Sequence, residues 1–186
     1  MEALALLQRS AYDPMFGVQK ARRALSMIRA RVVFRGCNLG PRVTADGKVE
    51  VLNQGSLSIG KGTNFMAGML PTRLWTRPAG VLSIGEQCVF NYGVQVDAHQ
   101  RIEIGDGCLF GSMVQLCDDA SGVKGPVVLG DDVWVAHGVV ISPGVRVGNG
   151  AVLSAGAVIT KDVPAGHLAI GNPARAMKLQ TVKAAR

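Results

Sequence analysis

Aromatic residues make up only 5% of the 186-residue chain, and charged residues 18%. A core built on many large rings is excluded, and so is a charge-rich disordered chain. Histidine is scarce at three residues. Cysteine stops at Cys37, Cys88, Cys108 and Cys117, with no CxxC or Cys/His pattern. That spacing offers no zinc-ligand set, so no metal is expected. No apolar run reaches the length of a membrane span. The start, MEALALLQRS, has an acid at position 2 and a short apolar stretch, unlike a secretory signal. The expected compartment is the cytoplasm.

What the chain has in excess is glycine, 24 residues, and the glycines are spaced rather than clustered. An aliphatic residue returns every six positions at Leu129, Val135, Ile141, Val147, Leu153 and Ile159. Four residues after each stands a small or branched one: Val133, Val139, Val145, Ala151, Ala157 and Val163. Neither the helical period of 3.6 nor the strand period of 2 gives this pattern. A period of six means short strands joined by fixed corners, stacked as coils of a parallel β-helix. Cys88 and Cys108 fall four residues after Ile84 and Ile104, in the small inward slot, and read as buried core thiols.

The net charge of +7 is uneven. Residues 1–35 hold seven Lys and Arg against Glu2 and Asp13, a balance of 7 − 2 = +5. A short helix is expected around Ala3–Gln8. A second, over Gln19–Arg31, would present Ala24, Leu25, Met27 and Ile28 as an apolar face. It can cap the open end of the solenoid, or lie on an anionic membrane at the inner face of the cell envelope. A solvated basic face is the plain alternative, and no motif supports nucleic-acid binding.

Residues 1–35 are thus a basic helical segment, 36–178 the β-helix, and 179–186 a tail. The single-stranded parallel coil comprises about seven turns. Met66–Gly80, with Pro71, Pro78 and Trp75, reads as a loop leaving the coil. Cys117–Gly125 is a second interruption, and such breaks are where a solenoid builds a site.

The order GDDVWVAHGVVISPGVRVGNGAVLSAGAVITKDVPAGHLAIGNPARAMK resembles the left-handed β-helix, hexapeptide-repeat acyltransferases. The likeness is to their galactoside, maltose, xenobiotic and polysaccharide O-acetyltransferase subgroup, and it covers about Leu57–Lys178. Left-handed coils depart from the usual right-handed crossover, and the handedness is taken from the resemblance. The resemblance implies a homotrimer, acetyl-CoA as donor, a saccharide hydroxyl as acceptor, and sites between subunits.

Residue by residue, it implies that Trp134 flanks the donor channel and that His137 and Ala155 lie along the pantetheine. Thr160 and Lys161 match positions near the nucleotide, and Arg175 and Lys178 positions near the CoA phosphates, chemistry that suits Arg and Lys. Ala155 reads equally well as a packing residue, and the three cations as solvated charges. On the acceptor side Asn91 matches an Asn at the reacting centre, able to steady an oxyanion, or is a plain corner residue.

Relatives carry a catalytic His shortly after the equivalent of Leu116. Here the segment is LCDDASGVKGP: Asp118 is retained, Ser121 or, one step on, Gly122 stands at the His position, and Gly125 precedes the closing repeats. His99, His137, Asp118 and Asp119 are the candidates to replace it, while His167 is a surface corner residue. A catalytically lapsed trimer, serving as a CoA-binding module or scaffold, is the alternative. A metal enzyme of the γ-carbonic-anhydrase type needs several His per zinc, which the wide spacing of His99, His137 and His167 does not supply.

Overall fold

The computed structural model describes residues 14–179. The expected short helix around Ala3–Gln8 lies outside them. A helix, Pro14–Val33, is followed by strands that coil through three faces. Sheet A has six parallel strands: Asn38–Leu39, Ser56–Ile59, Val81–Ile84, Arg101–Ile104, Val127–Leu129 and Arg146–Val147. Sheet B runs through Thr44–Ala45, Asn64–Phe65, Val89–Phe90, Leu109–Phe110, Trp134–Val135 and Val152–Leu153, and ends in the hairpin His167–Gly171 with Ala174–Lys178. Sheet C stacks Val49–Asn53, Thr72–Thr76, Gln95–Ala98, Gln115–Cys117, Val140–Ile141 and Val158–Ile159. Sheets A and C hold six strands each and sheet B eight, so six coils are complete, where the repeat count points to about seven. The difference is a partial last turn, which reaches sheet A through the Val147–Val163 bridge and sheet B through His167–Gly171, with no further strand of sheet C among the described residues.

The register explains the period. Ile59, Ile84, Ile104, Leu129 and Val147 stack inward on sheet A. On sheet B, Phe65, Phe90, Phe110, Val135, Leu153 and Ala169 form a second inward column. The rings of Phe65 and Phe90 stack at 5.0 Å, and those of Phe90 and Phe110 at 4.5 Å. Three of the five phenylalanines thus stand in one column, where successive coils place identical rings in contact. The four-residue offsets, Val133 to Val163, and the thiols Cys88 and Cys108 are all buried, as expected from their slot. The neighbouring Cys88 thiol and burial push the Cys108 thiol up.

The glycine after each sheet A aliphatic has a packing cause. A Cβ on Gly85 would lie 2.6 Å from the carbonyl carbon of Gly105 in the next coil. The corner accepts only hydrogen there.

Two expectations are corrected. The helix does pack on the first strand of sheet B, but through Ser26, Ala30 and Phe34, all buried. Phe34 closes over Phe65 with ring centroids 5.1 Å apart. Of the expected apolar face, Met27 is half-buried, while Leu25 and Ile28 are 67% and 59% exposed. The ring of Phe34 plugs the mouth of the tube, and this contact sets the rotation of the helix. Second, Met66–Gly80 is not a loop throughout. Thr72–Thr76 is a sheet C strand with Leu74 inward, and only the approach to it bulges. Phe65 to Leu74 takes nine residues where Phe90 to Val96 takes six. Among the described residues, no helix is long and apolar enough to cross a membrane.

Candidate functional site

The coil is regular where sheet A turns into sheet B, and irregular where sheet C returns to sheet A. Ile141 to Val147 takes six residues there, Val96 to Ile104 eight, and Leu116 to Leu129 thirteen. The extra residues of the last form an antiparallel hairpin, Asp119–Ala120 with Val123–Lys124, whose turn holds Ser121 at φ 53°. The C–A edge is therefore the decorated edge, and it carries His99, Asp118 and Asp119.

Asp118 is fully buried. Its carboxylate accepts backbone N–H bonds from His99 (2.7 Å), Gln100 (2.7 Å) and Arg101 (2.5 Å). Its carbonyl accepts from Gly125 N–H at 3.0 Å, closing the base of the hairpin. Every oxygen is thus engaged with the backbone. His99 sits on the corner so clamped, with Nε2 3.5 Å from Asp97 Oδ1 and Nδ1 3.9 Å from Asp119 Oδ2. Asp119 in turn meets Lys124 Nζ at 2.9 Å. Asp97 accepts a bidentate pair from Arg77, both bonds 2.8 Å. Burial works against the charge of Asp97, yet the Arg77 guanidinium outweighs it and holds the carboxyl below its usual range. Trp75 lies between two guanidinium groups, with Arg73 and Arg77 Cζ at 5.7 and 5.3 Å from the ring centroid.

The B–C edge holds a different set. Ser112, His137 and Ala155 occupy one position of it in successive coils, since Phe110, Val135 and Leu153 are in register, and Asn91 stands one residue earlier in its coil, where Tyr92 holds the matching position. Asn91 Oδ1 accepts from Tyr92 N–H at 2.8 Å, within its own turn. Ser112 Oγ lies 2.7 Å from His137 Nδ1. Gly111 makes room for this pair: a Cβ there would lie 2.6 Å from His137 N. His137 carbonyl accepts from Gly156 N–H at 2.8 Å, so Ala155 follows one coil above. His137 is exposed, and its Nε2 has no hydrogen bond among the described residues.

A cleft of about 480 Å³ opens between the last sheet C corner and the closing hairpin. Thr160, Lys161 and Arg175 all line it. Lys178 is exposed on the outer hairpin strand, opposite His167. Trp134 is 55% exposed on the outer face of sheet B, in register with Leu109 and Val152.

The structure thus gathers Thr160, Lys161 and Arg175 at one cleft, and His137 and Ala155 on one edge. It separates Asn91 from His99 and Asp118, which lie on different edges of the same protomer. Ser112 is not singled out by the sequence alone. Its signal is the coil register, because Phe110 opposite Val135 places Ser112 opposite His137.

Residues 126–161 match the family model described as bacterial transferase hexapeptide, six repeats. A Schizosaccharomyces pombe protein described as an acetyltransferase, C18B11.09c, is 40% identical over 105 residues, 50% of this chain and 51% of its own length. Galactoside O-acetyltransferase of Escherichia coli K12 is 30% identical over 108 residues, 52% of this chain and 53% of its own. The chain therefore spans about half the length of these curated relatives. Among solved structures, a mutant of AntD, a Bacillus cereus N-acyltransferase in complex with dTDP and coenzyme A, superposes with a TM-score of 0.68 at 20% identity. That match covers 84% of this chain and 90% of AntD. The chain carries the bacterial transferase hexapeptide repeat, and its fold is the left-handed parallel β-helix found in hexapeptide-repeat acyltransferases.

Proposed function

We propose that the protein transfers an acetyl group from acetyl-CoA to a saccharide hydroxyl. The observation that carries this reading is the closing cleft, where Thr160, Lys161 and Arg175 converge beside the repeats that match acetyltransferases. Lys161 and Arg175 suit the CoA phosphates, Arg as a bidentate partner and Lys as a point charge. The exposed face of Trp134 and the small Ala155 suit the slim pantetheine arm.

His137 is the general base of this reading, in place of the His missing at Ser121. Ser112 holds Nδ1, and Nε2 is free to take the acceptor proton. The acceptor oxygen then attacks the thioester carbonyl, the C–S bond breaks, and the proton passes to the departing CoA thiolate. His99 is not chosen, because both of its ring nitrogens face carboxylates. It links the corner to the hairpin instead. The split between the C–A edge, with His99 and Asp118, and the B–C edge, with Asn91 and His137, supports a homotrimer in which edges of neighbouring copies meet.

A thioester-release assay with acetyl-CoA and pooled saccharides tests the reading. Wild type is expected to release CoA, and His137→Ala to lose about 10²–10⁴-fold in kcat. Ser112→Ala is expected to lose less and to shift the pH profile of kcat. A folded His99→Ala variant with a loss of that size would reassign the base to His99. CoA binding without release, across a broad acceptor panel, would favour the non-catalytic CoA-binding scaffold.

A further inference from the structure

The amino-terminal helix has two apolar sides, and the coil uses one of them. Ser26, Ala30 and Phe34 are buried where the helix packs on the first coil. Ala21, Leu25, Ile28 and Val32 follow one another at steps of four, three and four, which is one stripe along a helix. All four are exposed, Val32 at 70%. Ala30 stands two residues after Ile28, about 200° round the helix, so the stripe faces away from the coil. Three large aliphatic side chains are thus held out in water in one row, and contiguous apolar surface of that kind marks an interaction face.

The charge of the same segment is of one sign. Residues 14–35 hold Lys20, Arg22, Arg23, Arg29, Arg31 and Arg35, and no Asp or Glu. Arg22 and Arg29 flank the stripe on one side and Arg31 on the other, each about a quarter turn away. The five arginines make no ion pair among the described residues. Arg29 Nη1 donates to the Asp46 carbonyl at 3.3 Å, and Arg22 and Arg23 line a cleft with Arg42 between the helix and the first strands.

These two properties together choose the partner. The stripe is aliphatic and convex, without the aromatic anchors and pockets on which protein interfaces concentrate their affinity. A second copy of the helix would set arginines against arginines. A lipid surface asks for no shape match. Aliphatic side chains enter the acyl boundary, and arginines beside them keep their guanidinium groups among the headgroups. An acid-free cationic face calls for anionic headgroups. The helix is not long and apolar enough to cross a membrane, so its place is on the surface. We infer that the outward stripe of the amino-terminal helix docks the protein on an anionic lipid surface, with the helix lying in the plane of the headgroups. This surface lies outside the transferase reading and does not rest on it.

The test is sedimentation of the full-length protein with phosphatidylcholine vesicles, with and without phosphatidylglycerol. Binding is expected with phosphatidylglycerol, and is expected to weaken as salt is raised. Leu25→Gln with Ile28→Gln is expected to weaken it about a hundredfold, and Arg22→Gln with Arg31→Gln about thirtyfold. Glutamine keeps helix propensity, and all four positions are exposed, so melting temperatures without vesicles are expected to match wild type. Full binding by the Leu25→Gln, Ile28→Gln variant overturns the proposal, because charge alone would then explain it. So does equal binding to the two kinds of vesicle, or binding to neither. A lower melting temperature of that variant without vesicles also overturns it, since residues 1–13 of the chain would then cover the stripe. A lower sedimenting mass of the variant without vesicles overturns it in favour of a second copy. Vesicle binding by a protein that releases no CoA leaves this surface standing and removes only the transferase reading; CoA release without vesicle binding does the reverse.

Discussion

Replacing Asp118 separates a structural carboxylate from a catalytic one. The side chain has no exposure and accepts three backbone N–H bonds, from His99, Gln100 and Arg101. A hydrogen bond to a charged group contributes about 1.5–3 kcal/mol net. In Asp118→Asn one oxygen becomes a donor. If it replaces Oδ1, the His99 amide loses its acceptor; if it replaces Oδ2, both Gln100 and Arg101 do. The expected cost is one to two such bonds, about 1.5–6 kcal/mol. At about 2–4 °C per kcal/mol for a chain of this size, the melting temperature falls by about 3–24 °C. Differential scanning calorimetry measures the shift, and the thioester assay on the same sample, well below the transition, measures turnover. The expected result is a large fall in melting temperature with KM and kcat changed only modestly. A variant that melts within about 2 °C of wild type while losing its turnover refutes the argument, because Asp118 would then be acting on substrate and not on the backbone.

Two other perturbations check the fold and the edge. Phe90→Ala removes the middle ring of the Phe65–Phe90–Phe110 stack and is expected to cost about 3–5 kcal/mol, read from the shift of a urea unfolding midpoint at unchanged slope. The Arg77–Asp97 pair is a pH-dependent link, since the folded pKa of Asp97 is lowered. Its contribution is present above the ordinary Asp value, about 3.9, and is lost as pH falls through the lower folded value. The melting-temperature difference between wild type and Asp97→Asn is therefore expected to be steady near neutrality and to shrink below about pH 4; a difference that grows on acidification counts against the pairing.

Much of the architecture is legible without coordinates. A residue that recurs every six positions is fixed by its own neighbours above and below, so Val135, Leu153 and Ile159 announce a coil locally. The glycine after each sheet A aliphatic marks a corner for the same reason. Where contact depends on something other than the repeat, the reading fails. The rotation of the helix follows from Phe34 meeting Phe65, a contact that the apolar pattern of residues 19–31 cannot register. Trp75 reads as loop because the three extra residues before Thr72 break the count, although the strand itself resumes.

The solenoid and its inward columns are legible in the sequence because each is written in a local repeat, while the basic and small residues of the closing coils stand out through the resemblance. How the chemistry is distributed follows from the packing of the coils. Stacking coils puts residues about 20 to 25 apart in direct contact, so Ser112 meets His137 and Asp118 grips the corner bearing His99. The same stacking sends Asn91 and His99, eight residues apart in the chain, to different edges. Arg22, Arg23 and Arg42 share a cleft only because the helix folds back over the first coil. In a prism, the edge a residue occupies depends on the residues added at every earlier corner, and that sum is set by the fold and not by any motif.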